Sequence, residues 1–198
     1  MNIGLLGGTF DPPHIGHLVI GDQALQQLEL DEVWFTPVGQ PPHKPGRRIS
    51  AAGHRVAMTR LAIATHPRFR VCEDDVDRPA PHYSLTLIQL LRTKHPQHSW
   101  TFIIGEDSLA DLPKWHQPAA LLELVTLAVA RRPHSAPQMQ SLRQIVPDIE
   151  QRIKWIDAPL IDLSSTELRN RIGNGQTTRY LVPRAVSEYA GEHRLYIA

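Results

Sequence analysis

The distribution of hydrophobic residues alternates between two patterns along the chain. Short apolar runs bounded by turn residues, which are typical of buried strands, occupy residues 3–6, 33–37, 69–72, 100–104, 126–130 and 154–156. Between these runs, apolar residues recur every three or four positions and predict helices, the first over about residues 16–30. Strands that alternate with helices predict an α/β protein whose parallel sheet is covered by helices on both faces.

Capping residues indicate further helices. Ser50 is predicted to be the N-cap of a helix whose apolar face includes Met58. Ser165 is predicted to open a helix that runs to about residue 173, and Pro183 to start the last helix. The remaining predictions are a helix around residues 87–91, a short helix that closes at residues 121–124, and a loop over residues 132–140. With 198 residues and no internal repeat, we expect a single domain over residues 1–198.

Composition and charge exclude several classes of protein. Hydrophobic residues make up 41% of the chain and charged residues 21%, which is typical of a globular rather than a disordered protein. A net charge of +1 argues against a surface that coats nucleic acid. No apolar run approaches the roughly 18 residues of a membrane helix, and the N-terminus lacks the pattern of a signal peptide. The single cysteine, Cys72, excludes an internal disulfide. We therefore expect a cytoplasmic protein that binds neither nucleic acid nor a membrane.

The first candidate motif, residues 7–18, follows the first strand and opens the first helix. Gly7 and Gly8 allow a phosphate to approach the backbone closely, where the N–H groups of Thr9 and Phe10 are expected to donate to it. The following helix adds the positive end of its dipole. His14 and His17 are three residues apart, so on one helical turn they share a face and could donate to the same polyphosphate.

Other interpretations of the two histidines remain open. A zinc site is one, although metalloproteases place their two histidines four residues apart with a glutamate between them. A structural role in the core or at the surface is another. The combination of a glycine turn, a proline pair and a histidine pair favours phosphate binding.

A second motif, residues 163–169, opens the helix predicted from Ser165. Ser164, Ser165 and Thr166 offer hydroxyls and N–H groups at a helix start. Arg169 lies one turn later, where its guanidinium can reach the same anion. The alternative is an ordinary N-cap followed by a surface arginine.

A third motif, residues 104–115, follows the fourth strand. Gly105 permits close approach of a ligand, and the carboxylate of Asp107 can accept hydrogen bonds from ribose hydroxyls. Asp107 could equally be a helix N-cap. Trp115 could belong to the core, but its neighbours Pro113 and Lys114 indicate a loop, where an aromatic face can stack on a flat ring.

These motifs resemble those of a known family. His14-Ile-Gly-His17 matches the histidine motif of the nucleotidyltransferases related to class I aminoacyl-tRNA synthetases, and the second motif resembles their Ser-Ser-Thr-x-x-Arg. The third motif is similar to that of the bacterial nicotinate-nucleotide adenylyltransferases. So are Pro41-Pro42-His43-Lys44, Tyr83-Ser84, Arg132-Pro133 and the stretch from Tyr180 to Tyr196. One position departs from the family: Thr86 stands where an aspartate is common.

The resemblance implies a Rossmann-like, doubly wound sheet of the nucleotidyltransferase type. It implies transfer of AMP from ATP, with Mg²⁺, to nicotinate mononucleotide, giving deamido-NAD and pyrophosphate. His14, His17, Lys44 and Arg169 would be catalytic. The ATP-binding residues would be Gly7, Gly8, Thr9, Phe10, Gly105, Asp107, Ser164, Ser165 and Thr166, and those for the acceptor Tyr83, Ser84, Trp115 and Arg132. No dedicated metal ligands are expected. The alternatives are another adenylyltransferase, such as a pantetheine-phosphate adenylyltransferase, and a nucleotide-binding module without turnover.

Overall fold

The computed structural model describes residues 1–40, 49–131 and 139–197. Six strands form one sheet in which every described pair is parallel. The strands are β1 (Asn2–Gly8), β2 (Glu32–Pro37), β3 (Phe69–Val71), β4 (Ser99–Gly105), β5 (Thr126–Ala130) and β6 (Ile153–Ile156). All six predicted strands are therefore confirmed, with small differences at their ends.

Ten described helices connect or flank the strands. They are α1 (Ile15–Gln27), α2 (Ala52–Ile63), α3 (Asp74–Asp77), α4 (Ser84–Lys94), α5 (Glu106–Asp111), α6 (Pro118–Leu122), α7 (Met139–Ile145), α8 (Ile149–Arg152), α9 (Ser165–Gly173) and α10 (Arg184–Glu192). A 3₁₀ turn, Leu112–Lys114, follows α5. None of the described helices is long and apolar enough to cross a bilayer.

Two apolar cores lie on opposite faces of the sheet, because side chains alternate along each strand. On β1, Leu5 packs with helices α4 to α8, whereas Leu6 packs with α1, α2, α9 and α10. On β4, Phe102 and Ile103 divide between the two cores in the same way. Burial on both faces explains why these strands are continuous apolar runs in the sequence.

The strand order is β3-β2-β1-β4-β5-β6. From β1 the chain builds outward through β2 to β3, then returns to place β4 on the other side of β1. In open α/β sheets, ligands bind outside the carboxyl ends of the strands at such a reversal. Here that position lies between Gly8, at the end of β1, and Gly105, at the end of β4. The predicted doubly wound fold is confirmed.

Two local predictions are wrong. Ser50 is not an N-cap, because α2 begins at Ala52 after Ala51, and the backbone groups of Ser50 bond instead to Asp11 and Arg55. The loop predicted over residues 132–140 extends too far, since Met139 and residue 140 belong to α7. Residues 132–138 lie outside the described part of the chain.

Candidate active site

The glycine loop, residues 7–14, joins β1 to α1. A Cβ atom added to Gly8 would lie 2.9 Å from the Phe10 ring, closer than real Cβ contacts, so this position requires glycine. Phe10 has a φ of +50°, an uncommon left-handed conformation for a side chain of this size. Its ring is 1% exposed and packs into the core with Phe35 at a centroid distance of 5.8 Å. The buried Phe10 ring therefore anchors the glycine loop to the core at the turn that follows β1.

The two histidines lie at the N-terminus of α1. His14 is the N-cap residue and His17 the third residue of the helix. The backbone N–H of His14 donates to Nδ1 of His17 at 3.1 Å, and the two rings stack at a centroid distance of 3.7 Å. Because Nδ1 accepts, the proton of a neutral His17 lies on Nε2. The helix start therefore fixes His17 as an N–H donor at Nε2.

The second motif docks on the glycine loop, although the two are about 150 residues apart in the sequence. Ser165 Oγ donates to the carbonyl of Pro12 at 2.9 Å, and Arg169 Nη1 donates to the carbonyl of Asp11 at 2.8 Å. Arg169 Nη2 also donates to Thr166 Oγ1 at 3.2 Å. Ser164 is the N-cap of α9 and accepts from Glu167 N at 3.1 Å. One serine-rich turn thus contains an N-cap, which was the alternative considered from the sequence, and contacts to the glycine loop, which were not predicted.

A cleft of about 280 Å³ lies between the glycine loop, α9 and the end of β4. We call it the histidine cleft. Its walls include all the residues predicted to bind ATP, together with His14, His17 and Arg169. Asp107, in the first turn of α5, is exposed at this cleft. The structure therefore brings together three motifs that lie far apart in the sequence.

A second pocket of about 260 Å³, the aromatic pocket, adjoins the histidine cleft. Both are lined by Gly7, Gly8, Thr9, Gly105 and Ser108, so the two spaces meet at the ends of β1 and β4. The aromatic pocket contains the other three described substrate residues that were predicted: Tyr83, Ser84 and Trp115.

The aromatic pocket has stacked and edge-packed rings in its wall. Tyr83 stacks on His116 at 4.2 Å between centroids, and Trp115 meets Phe102 edge to face at 6.1 Å. Trp115 is partly buried against the core and also lines the pocket, where its stacking on a ligand ring stays a prediction. Ser84 is the first residue of α4, whose N-terminus faces the pocket.

Three further titratable residues line this pocket that sequence reasoning missed: Asp75, His82 and His116. Asp75 is 2% exposed and accepts from Arg78 Nε at 2.7 Å. The His82 side chain is 8% exposed, with Nδ1 3.6 Å from Asp75 Oδ2. Arg78 also donates to Thr86 Oγ1 at 2.8 Å. Thr86, the position that departs from the family, thus helps to hold Arg78 rather than lining the pocket.

Two buried charged side chains, Asp11 and Arg55, connect the glycine loop to the rest of the protein through hydrogen bonds, and neither was predicted as a site residue. Asp11 is fully buried, and its carboxylate accepts from Ser50 N at 3.1 Å and from Tyr196 OH at 2.7 Å. Burial, with Asp11 beside it, raises the pKa of Tyr196, which therefore stays a donor. Arg55 is 1% exposed, and burial lowers its pKa, an effect that nearby Asp11 opposes. The sequence contained one indication of a buried arginine here, because Arg55 lies one helical turn before Met58, on the predicted apolar face of the helix.

A model of the cytidylyltransferase-like family matches residues 5–171. A probable nicotinate-nucleotide adenylyltransferase from Thermomicrobium roseum is 42% identical over 194 residues, covering 98% of this chain and 91% of that protein. Another from Synechococcus sp. (strain JA-3-3Ab) is 44% identical over 195 residues, covering 98% and 94%.

The chain belongs to the nicotinate-nucleotide adenylyltransferase family. Solved structures agree with the fold of this family. Plasmodium falciparum nicotinic acid mononucleotide adenylyltransferase complexed with NaAD superposes with a TM-score of 0.80 at 18% identity, covering 98% of this chain and 97% of that one. The same enzyme complexed with APC gives 0.76 at 19% identity, covering 98% and 96%.

Two residues predicted from the family resemblance, Lys44 and Arg132, lie outside the described residues. Within residues 1–40, 49–131 and 139–197, no three His, Cys, Asp or Glu side chains are grouped so that they could hold a metal ion. His14 and His17 therefore have no third ligand of these types in the described chain, and the zinc interpretation has no support there.

Proposed function

We propose that this family member transfers AMP from ATP to nicotinate mononucleotide, giving deamido-NAD and pyrophosphate. One observation carries the proposal: the histidine cleft and the aromatic pocket meet at the glycine ends of β1 and β4. A transferase for two nucleotides needs two adjoining sites, because the reacting atoms must come within about 3–3.5 Å of each other. The shared glycine wall is where the two phosphates would meet.

The histidine cleft suits the triphosphate of ATP. The N-terminus of α1 and the N-terminus of α9 both border it, and helix N-termini favour anions. Arg169 adds a guanidinium, which binds phosphate oxygens through a planar fork. We assign the α- and β-phosphates to His14 and His17, and the β- and γ-phosphates to Ser165, Thr166 and Arg169. Gly105 leaves room for the nucleoside, and Asp107 would accept from its ribose hydroxyls.

The aromatic pocket suits the pyridine nucleotide. The ring can stack on the aromatic side chains, Trp115 among them, and the carboxylate can lie at the N-terminus of α4, near the N–H groups of Tyr83 and Ser84. Lys44 and Arg132, carried over from the family, are proposed to hold charged groups of the acceptor.

The chemistry needs no covalent enzyme intermediate. A phosphate oxygen of the acceptor attacks the α-phosphorus, the bond to the bridging oxygen breaks, and pyrophosphate leaves. Positioning and charge stabilisation therefore account for the rate enhancement. His17, donating from Nε2, would stabilise charge that develops on the leaving phosphates. Cys72 is buried and lines neither pocket, and burial also raises the pKa of its thiol to about 12, so we assign it no role as a nucleophile.

Magnesium is proposed to enter with ATP rather than to occupy a protein cage. The cleft offers hydroxyls and the carboxylate of Asp107 but, among the described residues, no cluster of metal ligands. Such a donor set fits Mg²⁺, which often keeps its waters and relies on substrate phosphates. Bound there, it would neutralise charge on the triphosphate.

We also propose a cytoplasmic location, where a lone buried thiol such as Cys72 stays reduced.

A panel of acceptors tests the proposed function. The purified protein is incubated with ATP, Mg²⁺ and one acceptor at a time: nicotinate mononucleotide, nicotinamide mononucleotide or phosphopantetheine. We expect the fastest pyrophosphate release with nicotinate mononucleotide. Fastest release with phosphopantetheine would identify the rival adenylyltransferase, and binding of ATP without release under any condition would identify a nucleotide-binding module.

A further inference from the structure

The chain turns back toward the glycine loop immediately after α10. Leu195 N donates to the carbonyl of Ala190 at 2.8 Å and Arg194 N to that of Gly191 at 3.1 Å, which is the bond pair of a Schellman motif. Glycine usually occupies the left-handed position of this motif, but here it is Arg194, with a φ of +50°. Tyr196 also has a positive φ, +70°. Side chains of this size rarely adopt such conformations, so tertiary contacts must hold the turn.

Tyr196 joins the glycine loop to α9. Its hydroxyl donates to Asp11 Oδ1 at 2.7 Å, and burial, with Asp11 beside it, raises the pKa of Tyr196, so the hydroxyl remains the donor. The backbone of Tyr196 lies against the end of α9, where a Cβ atom added to Gly173 would be 2.8 Å from the Tyr196 carbonyl oxygen. This close approach requires glycine. One residue therefore contacts both the glycine loop and the helix that carries Arg169.

The contacts converge on Asp11, whose side chain is fully buried. Its carboxylate accepts from Tyr196 OH and from Ser50 N, and its backbone carbonyl accepts from Arg169 Nη1 at 2.8 Å. A buried carboxylate that loses a donor pays part of its desolvation cost without compensation, so its surroundings must shift. A shift of Asp11 would move both the carbonyl that holds Arg169 and the loop that leads to His14.

We infer that Tyr196 is a positioning residue for the triphosphate of ATP. By fixing Asp11, Tyr196 holds the glycine loop and α9 in one relative arrangement. In that arrangement His14, His17 and Arg169 border the same cleft. Tyr196 does not itself line the histidine cleft, so it acts on turnover without touching substrate. The inference rests on the proposed function, in which a misplacement of about 1 Å between reacting groups can lower the rate by roughly 100-fold.

The test compares Tyr196→Phe with the matched control Tyr189→Phe. Tyr189 is on α10, and its hydroxyl bonds to His54 Nδ1 at 2.9 Å, which joins α10 to α2 rather than to the glycine loop. Each substitution removes one hydroxyl and one hydrogen bond and keeps the ring. If both bonds were merely structural, both variants would have a lower Tm and wild-type kcat.

We expect Tyr196→Phe to fold and to lower kcat by about 10-fold or more. Its KM for nicotinate mononucleotide should match wild type, because neither Asp11 nor Tyr196 lines the aromatic pocket. Tyr189→Phe should keep wild-type kcat. Wild-type kcat in Tyr196→Phe, whatever its Tm, would overturn the inference. Equal losses of kcat in the two variants, or failure of Tyr196→Phe to fold, would also overturn it.

A double-mutant cycle with Arg169→Ala tests the route through Asp11. If Tyr196 acts by holding the carbonyl that binds Arg169, Tyr196→Phe should lower kcat less in the Arg169→Ala background than in wild type. Equal losses in both backgrounds would overturn the inference. If wild-type protein releases no pyrophosphate with any acceptor, the proposed function itself fails. Normal wild-type turnover with an unaffected Tyr196→Phe variant refutes only this inference.

Discussion

His17 has two separable roles, and a pair of substitutions distinguishes them. Its Nδ1 accepts the N–H of His14 at the start of α1, which stabilises the helix, and a neutral ring then carries its proton on Nε2, on the other side of the ring. His17→Ala removes both groups. His17→Gln keeps an acceptor at the third helical position, where glutamine commonly bonds back to the N-cap N–H, but removes the Nε2–H of the stacked imidazole.

The two roles differ in expected magnitude. Loss of a helix cap costs about 0.5–2 kcal/mol, and about 1 kcal/mol lowers the Tm of a chain of this size by roughly 2–4 °C. His17→Ala should therefore show a lower Tm, and His17→Gln a Tm close to wild type. Loss of one preorganised donor to developing charge costs roughly 100-fold or more in kcat, and we expect that loss in both variants.

The assay is pyrophosphate release at saturating ATP and nicotinate mononucleotide, with thermal unfolding measured on the same preparations. A Gln variant that keeps wild-type kcat would show that Nε2 donates nothing essential. If the Ala variant alone loses turnover, the helix cap, not the imidazole, would be the functional group.

Three other perturbations test separate parts of the site. Arg169→Ala should weaken the binding of ATP by roughly 10-fold or more, the scale of a charged hydrogen bond, and the binding of AMP much less. The control is Arg171→Ala on the same helix. Equal losses of affinity for ATP and AMP would contradict the placement of Arg169 at the β- and γ-phosphates. Trp115→Ala should weaken the binding of both nicotinate and nicotinamide mononucleotide. In the wild-type protein, kcat/KM should favour the nicotinate form by about 100-fold, and a ratio of the two kcat/KM values near one would refute recognition of the carboxylate. Thr86→Asp should raise Tm by roughly 2–4 °C through a charged pair with Arg78, and a lower Tm would contradict that pairing.

The strand pattern could be predicted because strands buried on both faces leave continuous apolar runs in the sequence. The short helices α3, α5 and α8 could not, since segments of four to six residues contain too little of a helical period. The N-cap of α2 was placed wrongly at Ser50 because its backbone bonds to Asp11 and Arg55 override its local capping preference.

Much of the site could be predicted, since its chemistry lies in short motifs that follow strands. What could not be predicted depends on tertiary contacts. Arg55 bonds to Thr9, which lies 46 residues earlier, and Asp11 bonds to Tyr196, which lies 185 residues later. His82 becomes a pocket residue only through the packing of its loop beside Asp75. Because these contacts join residues that are far apart in the sequence, no local sequence pattern predicts them.

The central claim is transfer of AMP between two bound nucleotides, and product stoichiometry tests it most directly. Purified protein is incubated with ATP, Mg²⁺ and nicotinate mononucleotide, and deamido-NAD and pyrophosphate are both quantified over time. The account predicts that the two products form in equal amounts. Pyrophosphate without the dinucleotide would mean hydrolysis of ATP, and that result, or the formation of neither product, would contradict the account.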